Sequence, residues 1–390
     1  MNHGWVLWFG GVPWDGIPRH DRNLATAFSR YAPVLWVDPP SSPVTPTRGG
    51  TRTRTWRPRI DPVRDGLVRM APVALPGLTR PGVRATTWPL VRLQVRWALR
   101  RLGIRPRAAV SASVADVLGR WGPGVVDVLH GTDDWVAGAQ LMRLDVGWLE
   151  RAERAALARA DRTVAVSPDL GARWTALGAE PTVLPNGCHP PEPADPVPSD
   201  LPGPVAVLTG QLSDRIDMDA VEAVADTGMS LLLVGPHDPR WEPERFGALV
   251  ARETVRWTGP VPADEVGRYL AGADVGLTPY RDTAFNRASF PLKTLDYLAA
   301  GLPVASTDLP ASRWLVEQGG TAGCVELAPD ATAFAAAARA AAGRSGADLA
   351  ERCRALVGAH TWDDRARRMA AVLGIPVDEP AGRTKPVEVS

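Results

Sequence analysis

The sequence predicts an α/β protein made of two Rossmann-like, doubly wound parallel-sheet domains that face each other across a cleft. Three observations carry this. Short apolar runs of strand length alternate with amphipathic helical segments along most of the 390 residues, the pattern of βαβ units with both sheet faces covered. A proline-rich stretch, Pro190 to Pro198, interrupts the alternation near mid-chain and reads as an extended, semi-rigid linker. The alternation then restarts, and at roughly 150 residues per domain the length suits two domains. The expected organisation is a first domain over residues 1–189 and a linker over 190–203. A second domain follows over 204–360. A C-terminal crossover helix over 361–375 packs back on the first domain, and residues 376–390 form a frayed tail.

Taken in order, Trp5–Gly10 reads as the first strand, followed by a glycine-containing turn and a helix over Arg19–Arg30. Pro33–Asp38 is the second strand and Val68–Leu75 a weaker one. Trp88–Leu102 is an amphipathic helix. Ala108–Ser113, Val125–His130 and Thr163–Ser167 are further strands, and Val183–Leu184 is a short one before Pro185-Asn186-Gly187. After the linker, Val205–Thr209, Leu231–Val234, Val255–Thr258, Val275–Pro279 and Val304–Thr307 have the buried-strand pattern. Helices Asp219–Asp226, Ala263–Ala271 and Leu292–Ala300 lie between them. The chain ends in two long helical stretches, Ala331–Arg344 and Gly346–Leu373. Ser41–Pro62 fits no element: it is polar, rich in Pro, Gly and Thr, and places Arg48, Arg52, Arg54, Arg57 and Arg59 around Trp56.

Composition narrows the function classes. No apolar run approaches the roughly 18 residues that span a bilayer. Met1-Asn2-His3-Gly4-Trp5 has no basic region before its apolar stretch, so it reads as a strand and not a signal peptide. Three scattered cysteines, Cys188, Cys324 and Cys353, give neither a disulfide framework nor a metal pattern, and a reducing cytosol is the expected setting. Through Pro190 there are 25 Arg and no Lys against 15 acidic residues, a net +10; the remainder, 19 basic against 28 acidic, carries −9. Such asymmetry suits an anionic partner or surface for the first half, or attraction between the halves.

Four segments hold candidate chemistry. Gly10-Gly11 to Asp15, with Arg19 and His20 beyond, form a glycine-rich strand-to-helix turn. Backbone N–H groups at such a turn can approach a phosphate, and Asp15, Arg19 and His20 would contact an acceptor. Glycine pairs also serve simply to turn the chain. His130 ends a central strand, with Asp133 and Asp134 following; strand carboxyl ends are where ligands bind such sheets. His130 holding only backbone, and Asp133 only capping a helix, are the plainer alternatives. Gly210-Gln211 opens the second array, and Arg215 a few residues on can pair with a diphosphate. The richest segment is Asn286–Val304. Ser289 and Phe290 would offer free N–H groups at a helix start, with Arg287 beside them. Lys293 lies three residues before Asp296, on one helix face, where a carboxylate can take both hydroxyls of a ribose; a plain salt bridge is the alternative. Gly235, just after the Leu231–Val234 strand, is counted with the donor-binding residues.

At this segment the chain resembles the retaining, family-4-type glycosyltransferases of the GT-B fold. Ser289-Phe290 and Ala299-Ala300-Gly301-Leu302-Pro303-Val304 match the family hallmark, and Asp296 stands where its second Glu binds the ribose. Four blocks agree in order: Ala160-Asp161 to Ser167, Leu184-Pro185-Asn186-Gly187, Ala273–Pro279 and Thr361-Trp362-Asp363. The resemblance covers nearly the whole chain. Within the family it is nearest to teichuronic-acid-type bacterial envelope transferases, on Pro291-Leu292-Lys293, Asp133-Asp134-Trp135 and Arg215-Ile216-Asp217. There are departures. Ala288 replaces the first hallmark Glu, and Gln211 and Arg215 stand at the positions of the family's Arg and Lys phosphate pair.

The resemblance implies transfer of a hexose-type sugar, with retention, from a UDP-, GDP- or dTDP-linked donor to an acceptor hydroxyl, in envelope polysaccharide or natural-product biosynthesis. His130, Arg215 and Lys293 would carry the chemistry. His130 would touch the donor sugar, and Arg215 and Lys293 would neutralise the leaving diphosphate without a metal or cofactor. No DxD motif flanked as in metal-dependent transferases occurs. The acceptor would be a sugar, a lipid-linked molecule or a small molecule, met by the first domain. The Arg-rich segment and the helix Trp88–Leu102 also suit contact with an anionic membrane from the cytoplasmic side. Nucleic acid is not expected. Two other readings stay open: a nucleotide-sugar 2-epimerase or pseudo-glycosyltransferase, and a non-catalytic sugar-nucleotide scaffold. A hydride-transfer enzyme is not expected, because no GxGxxG with its acidic partner occurs.

Overall fold

The computed structural model describes residues 4–15, 20–44, 56–77, 80, 82–142, 144–189, 194–197, 200–318 and 321–377. The chain divides into two compact units: Met1–Pro185 together with Trp362–Ser390, and Asn186–Thr361.

The first unit is built on eight strands: β1 (Trp5–Phe9), β2 (Val34–Val37), β3 (Arg59–Arg64), β4 (Leu67–Ala71), β5 (Pro106–Ser111), β6 (Val126–Gly131), β7 (Arg162–Ala165) and β8 (Pro181–Val183). Their order is β3-β4-β2-β1-β5-β6-β7-β8. All pair in parallel except β3, which runs antiparallel to β4. The central strands are apolar runs because both faces are covered: Trp8 and Trp36 are fully buried. β3 has no apolar run and contains Pro62, which a sheet edge tolerates, so the sequence pattern hid it. The helix Val83–Leu102 begins one turn before the expected Trp88 and runs through Pro89, where a break is the usual outcome.

The second unit has six strands: β9 (Val205–Thr209), β10 (Ser230–Val234), β11 (Val255–Trp257), β12 (Val275–Thr278), β13 (Val304–Thr307) and β14 (Val325–Ala328). Their order is β11-β10-β9-β12-β13-β14, all parallel. The chain starts at the centre, winds out to one edge, then returns and winds to the other. This is the doubly wound order whose switch point, here between β9 and β12, opens a crevice at the strand carboxyl ends. Leu231, Leu233, Val275 and Leu277 form its buried centre with Val221, Val224 and Phe334 from the covering helices. The segments that open and close this unit run side by side, with the Cys188 N–H donating to the His360 carbonyl at 2.9 Å.

The helical stretch read over Gly346–Leu373 is broken, next to the residue where the crossover helix was expected to begin. It is two helices, Ala347–Val357 and Trp362–Val372, with a 3-10 turn over Gly358–His360 between them. The His360 carbonyl is committed to Cys188 rather than to a helical ladder. Trp362–Val372 then returns to the first unit, as the fold class predicts. It packs on the helix His20–Phe28, buries Trp362, Ala366, Met369 and Ala370, and Asp363 accepts from Arg30 Nη1 and the Tyr31 hydroxyl, each at 3.1 Å. No helix among the described residues is long and apolar enough to cross a membrane.

Candidate functional site

In the second unit, the loops leaving β9 and β10 touch through glycine. Gly235 has φ +136° and Gly210 has φ +108°, backbone that side chains rarely adopt. A Cβ on Gly235 would lie 2.1 Å from the Gly210 carbonyl oxygen, and one on Gly210 would meet Lys293 Cε at 3.3 Å. The two glycines therefore let the loops lie backbone to backbone, with the Lys293 stem crossing above.

Lys293 belongs to the helix Leu292–Ala300, which ends as predicted in a left-handed Gly301. Lys293 Nζ donates to Asp296 Oδ2 at 3.1 Å, and both side chains are about one-third exposed (32% and 33%). Burial pushes the ammonium down, but the Asp296 charge and hydrogen bond outweigh it, so Lys293 sits above its usual range and stays charged. The helix is pinned to β9 by the next residue. The Tyr297 hydroxyl, fully buried, accepts from the Thr209 N–H at 2.8 Å, one residue before Gly210. Burial holds its phenol well above the ordinary value.

Arg215 is held on the other side of the loop. Its Nε donates to Asn286 Oδ1 at 2.9 Å, and Asn286 Nδ2 donates to the Arg215 and Arg281 carbonyls at 3.0 and 2.9 Å. The guanidinium lies over Phe285 at 4.8 Å and Tyr280 at 5.3 Å. One small recess is lined by Arg215, Tyr280, Asn286, Ser289, Phe290 and Leu309. Gln211 is exposed beside the loop. The arrangement presents two fixed cations and a carboxylate at a sheet's switch point, a layout suited to a diphosphate and a vicinal diol.

Two expectations in this unit are corrected. The Ser289 N–H is not free: Ser289 closes the short helix Ala284–Ala288, and its N–H and hydroxyl both donate to the Phe285 carbonyl, at 3.0 and 2.9 Å. Arg287 makes a forked pair with Asp282 at 2.5 and 2.7 Å and is half exposed, so its charge is already matched. Ala288, at the place of the first hallmark Glu, is a buried core residue.

The first unit corrects more. The Gly10 N–H donates to the Val37 carbonyl at 3.0 Å and the Gly11 N–H to Asp21 Oδ2 at 2.7 Å. Buried Asp21 thus occupies the helix start where an external anion would sit. These glycines are required by close approach: a Cβ on Gly10 would lie 2.1 Å from the Trp36 ring, and one on Gly11 2.9 Å from the Ala112 carbonyl. Asp15 is clamped by Arg69 through two bonds of 2.8 and 2.7 Å, and Arg69 also donates to Asp38 at 2.8 Å. Asp134 is buried, pairs with Arg173 Nε at 2.9 Å and accepts from the Ala137 N–H at 2.9 Å. Arg173 in turn holds Glu153, so Asp134 is committed to the fold.

The structure does bring His20, Asp133 and His130 together. His20 Nε2 lies 3.6 Å from Asp133 Oδ2. His130, at the end of β6, is buried, and its Nδ1 has no hydrogen-bond partner among the described residues. Burial, then the charge of His20, pushes His130 down to about 3, so it is a neutral imidazole at neutral pH. Arg19 lies outside the described residues, as do Arg48, Arg52 and Arg54. Sequence reasoning missed Tyr297 and Thr209 as supports of the site. The signal available was a tyrosine in the turn after Asp296, on the face that must meet the sheet.

Comparison with known proteins bears on these observations. Residues 204–343 match the family model described as glycosyl transferases group 1. The putative teichuronic acid biosynthesis glycosyltransferase TuaH of Bacillus subtilis (strain 168) is 34% identical over 112 residues, which span 28% of this chain and 28% of that protein. Among solved structures, sucrose-phosphate synthase from Thermosynechococcus elongatus is similar with a TM-score of 0.70 and 18% identity, over 95% of this chain and 98% of that one. HepE from Anabaena, solved with UDP and glucose, gives 0.64 and 13%, over 95% and 100%. These likenesses place the fold in the GT-B class.

Proposed function

We propose, from the match of residues 204–343 to the family model of group 1 glycosyl transferases, that the chain transfers a hexose-type sugar from a nucleotide-diphosphate donor to an acceptor hydroxyl. The observation that carries this is the assembly at the carboxyl end of β9: Gly210 against Gly235, Lys293 paired with Asp296, and Arg215 fixed by Asn286. HepE, of the same fold, was solved with UDP and glucose, which favours a UDP-linked donor.

In this reading Asp296 takes the ribose hydroxyls. Its Oδ2 already carries Lys293, and Oδ1 has no partner among the described residues. Arg215, Lys293 and the Phe290 N–H hold the diphosphate. As the bond from the sugar's anomeric carbon to the phosphate oxygen breaks, negative charge grows on the diphosphate. Two cations fixed beforehand stabilise that charge without reorganising. His130, neutral and with an unpaired Nδ1, offers a hydrogen-bonding atom to a sugar hydroxyl, and His20 with Asp133 supplies acceptor contacts. The acceptor oxygen bonds the anomeric carbon on the face from which the diphosphate departs, its proton passing to the departing phosphate oxygen, so configuration is retained, as the family resemblance implies.

The helix Val83–Leu102 favours an acceptor at an anionic membrane. It has no acidic residue, and exposed Leu93 and Trp97 (60% and 42%) lie among exposed Arg96, Arg100 and Arg101. Such a face binds anionic lipid surfaces. Cosedimentation with phosphatidylglycerol vesicles, lost on Leu93→Ser with Trp97→Ser, tests it; equal binding by that variant sinks it.

The donor assignment is tested by thermal shift with UDP, GDP, dTDP and their sugar conjugates, with and without EDTA, on wild type and Asp296→Ala. A ligand of the folded state raises the midpoint by mass action. One nucleotide class should stabilise wild type and not the variant, regardless of EDTA. No shift with any nucleotide overturns the donor site and favours a scaffold. Hydrolysis or epimerisation of donor alone, without transfer to any acceptor, favours the epimerase reading.

A further inference from the structure

A cavity of about 370 Å³ in the first unit is lined by none of the donor-site or acceptor-site residues. That volume is in the range of small-molecule sites. It is formed between the helices Val83–Leu102 and Val146–Leu157, with the segment after β5 as its floor. The indoles of Trp88 and Trp148 and the ring of Pro89 supply apolar wall, while Ala85, Ala152 and Ala155 leave the space that larger side chains would fill. Native helix pairs close such gaps.

The charge of its wall is one-sided. Arg84 lines the cavity with its guanidinium over the Trp148 ring at 4.6 Å, and it has no carboxylate partner among the described residues. Asp116, also lining it, is shared by three arginines: Arg92 at 2.7 Å, Arg159 at 2.5 Å and Arg120 at 3.3 Å. Burial raises the Asp116 carboxyl, but the three guanidiniums outweigh it and hold it below the usual range. Two guanidiniums, Arg84 and Arg159, therefore line an apolar, aromatic-walled cavity whose one lining carboxylate, Asp116, is already matched by Arg159 and by Arg92 and Arg120 behind it.

We propose that this cavity binds an amphiphilic anion: an apolar body seated between Trp88 and Trp148 with one phosphate, sulfonate or carboxylate head on Arg84. A neutral apolar molecule would leave the guanidinium excess unmatched, and a small hydrophilic anion would leave the indoles and alanines wet. The site does not depend on the donor assignment.

The test uses the full chain and two probes: 1-anilinonaphthalene-8-sulfonate, read by its fluorescence, and decyl phosphate against decanol, read by displacement of that dye. One saturable dye site is expected, with decyl phosphate displacing at about tenfold lower concentration than decanol, the scale of one charge-assisted hydrogen bond. Arg84→Gln should remove that preference. Ala152→Leu should abolish saturable dye binding while keeping or raising the thermal midpoint; if it unfolds the chain, Ala85→Leu on the facing helix fills the same space. Dye binding unchanged in a folded filled variant, or decanol equal to decyl phosphate in wild type, overturns the proposal. Retention of the nucleotide-induced thermal shift by the filled variant separates this site from the donor site.

Discussion

At the scale of single residues, His130 carries the clearest pH signature. Its imidazole is held near 3 in the fold and titrates near 6.5 when unfolded. Below about pH 6.5 the unfolded chain takes up a proton that the folded chain refuses until about pH 3. The native state therefore loses stability through that window as pH falls, by up to about 1.4 kcal/mol per unit. We expect His130→Gln to flatten the fall in unfolding midpoint between pH 6.5 and 4.5; an unchanged slope would show that His130 is not buried neutral. Residue-level legibility followed from geometry that spacing reports. Lys293 and Asp296 share a helix face at any tertiary arrangement, so their pairing was readable. Gly10 and Gly11 were not, because a sequence shows a glycine but not where its N–H points. Here Asp21, ten residues on, already holds the Gly11 N–H. Asp134 was misread for a similar reason: its partner Arg173 is distant in sequence and near only once the strands are laid side by side.

At the scale of elements, the helix Leu292–Ala300 depends on one buried hydroxyl. Tyr297→Phe would leave the Thr209 N–H without an acceptor in the core, costing about 1–3 kcal/mol, read by urea denaturation. Because Thr209 leads into Gly210, the same change should also weaken nucleotide binding; a stability loss below half a kcal/mol would show that water replaces the phenol. Gly235→Ala should be worse, since the added carbon meets a backbone oxygen that cannot swing away. A folded Gly235→Ala protein with wild-type midpoint would contradict the contact between the two loops. The buried central strands were legible as apolar runs. The edge strands β3 and β14 were not: one face or one flank of an edge strand meets solvent, and Val325-Glu326-Leu327-Ala328 and Arg59–Arg64 are too short or too polar to stand out.

At the scale of the whole molecule, two sheet arrays were legible because the apolar period restarts after the proline-rich stretch. The start of the crossover helix was legible in Thr361-Trp362-Asp363, but the 3-10 turn over Gly358–His360 before it was not, since nothing local announces that His360 will bond Cys188. Ending the chain at Thr361 should strip the helix Trp362–Val372 from the first unit and expose the face it covers on His20–Phe28. Limited trypsin digestion should then degrade residues 1–185 first and leave 186–361 protected; equal protection of both would show that the helix contributes little. The chain path has a further consequence. The first unit needs residues from both ends of the sequence, while the second is one uninterrupted stretch between them. On the ribosome, the second unit therefore has all its strands before the first has its last helix. At about 5–20 residues per second the wait for that helix is on the order of 10–35 s. Throughout that interval the first unit, with all eight strands made, presents the apolar face of His20–Phe28 to whatever chaperone stands at the tunnel exit.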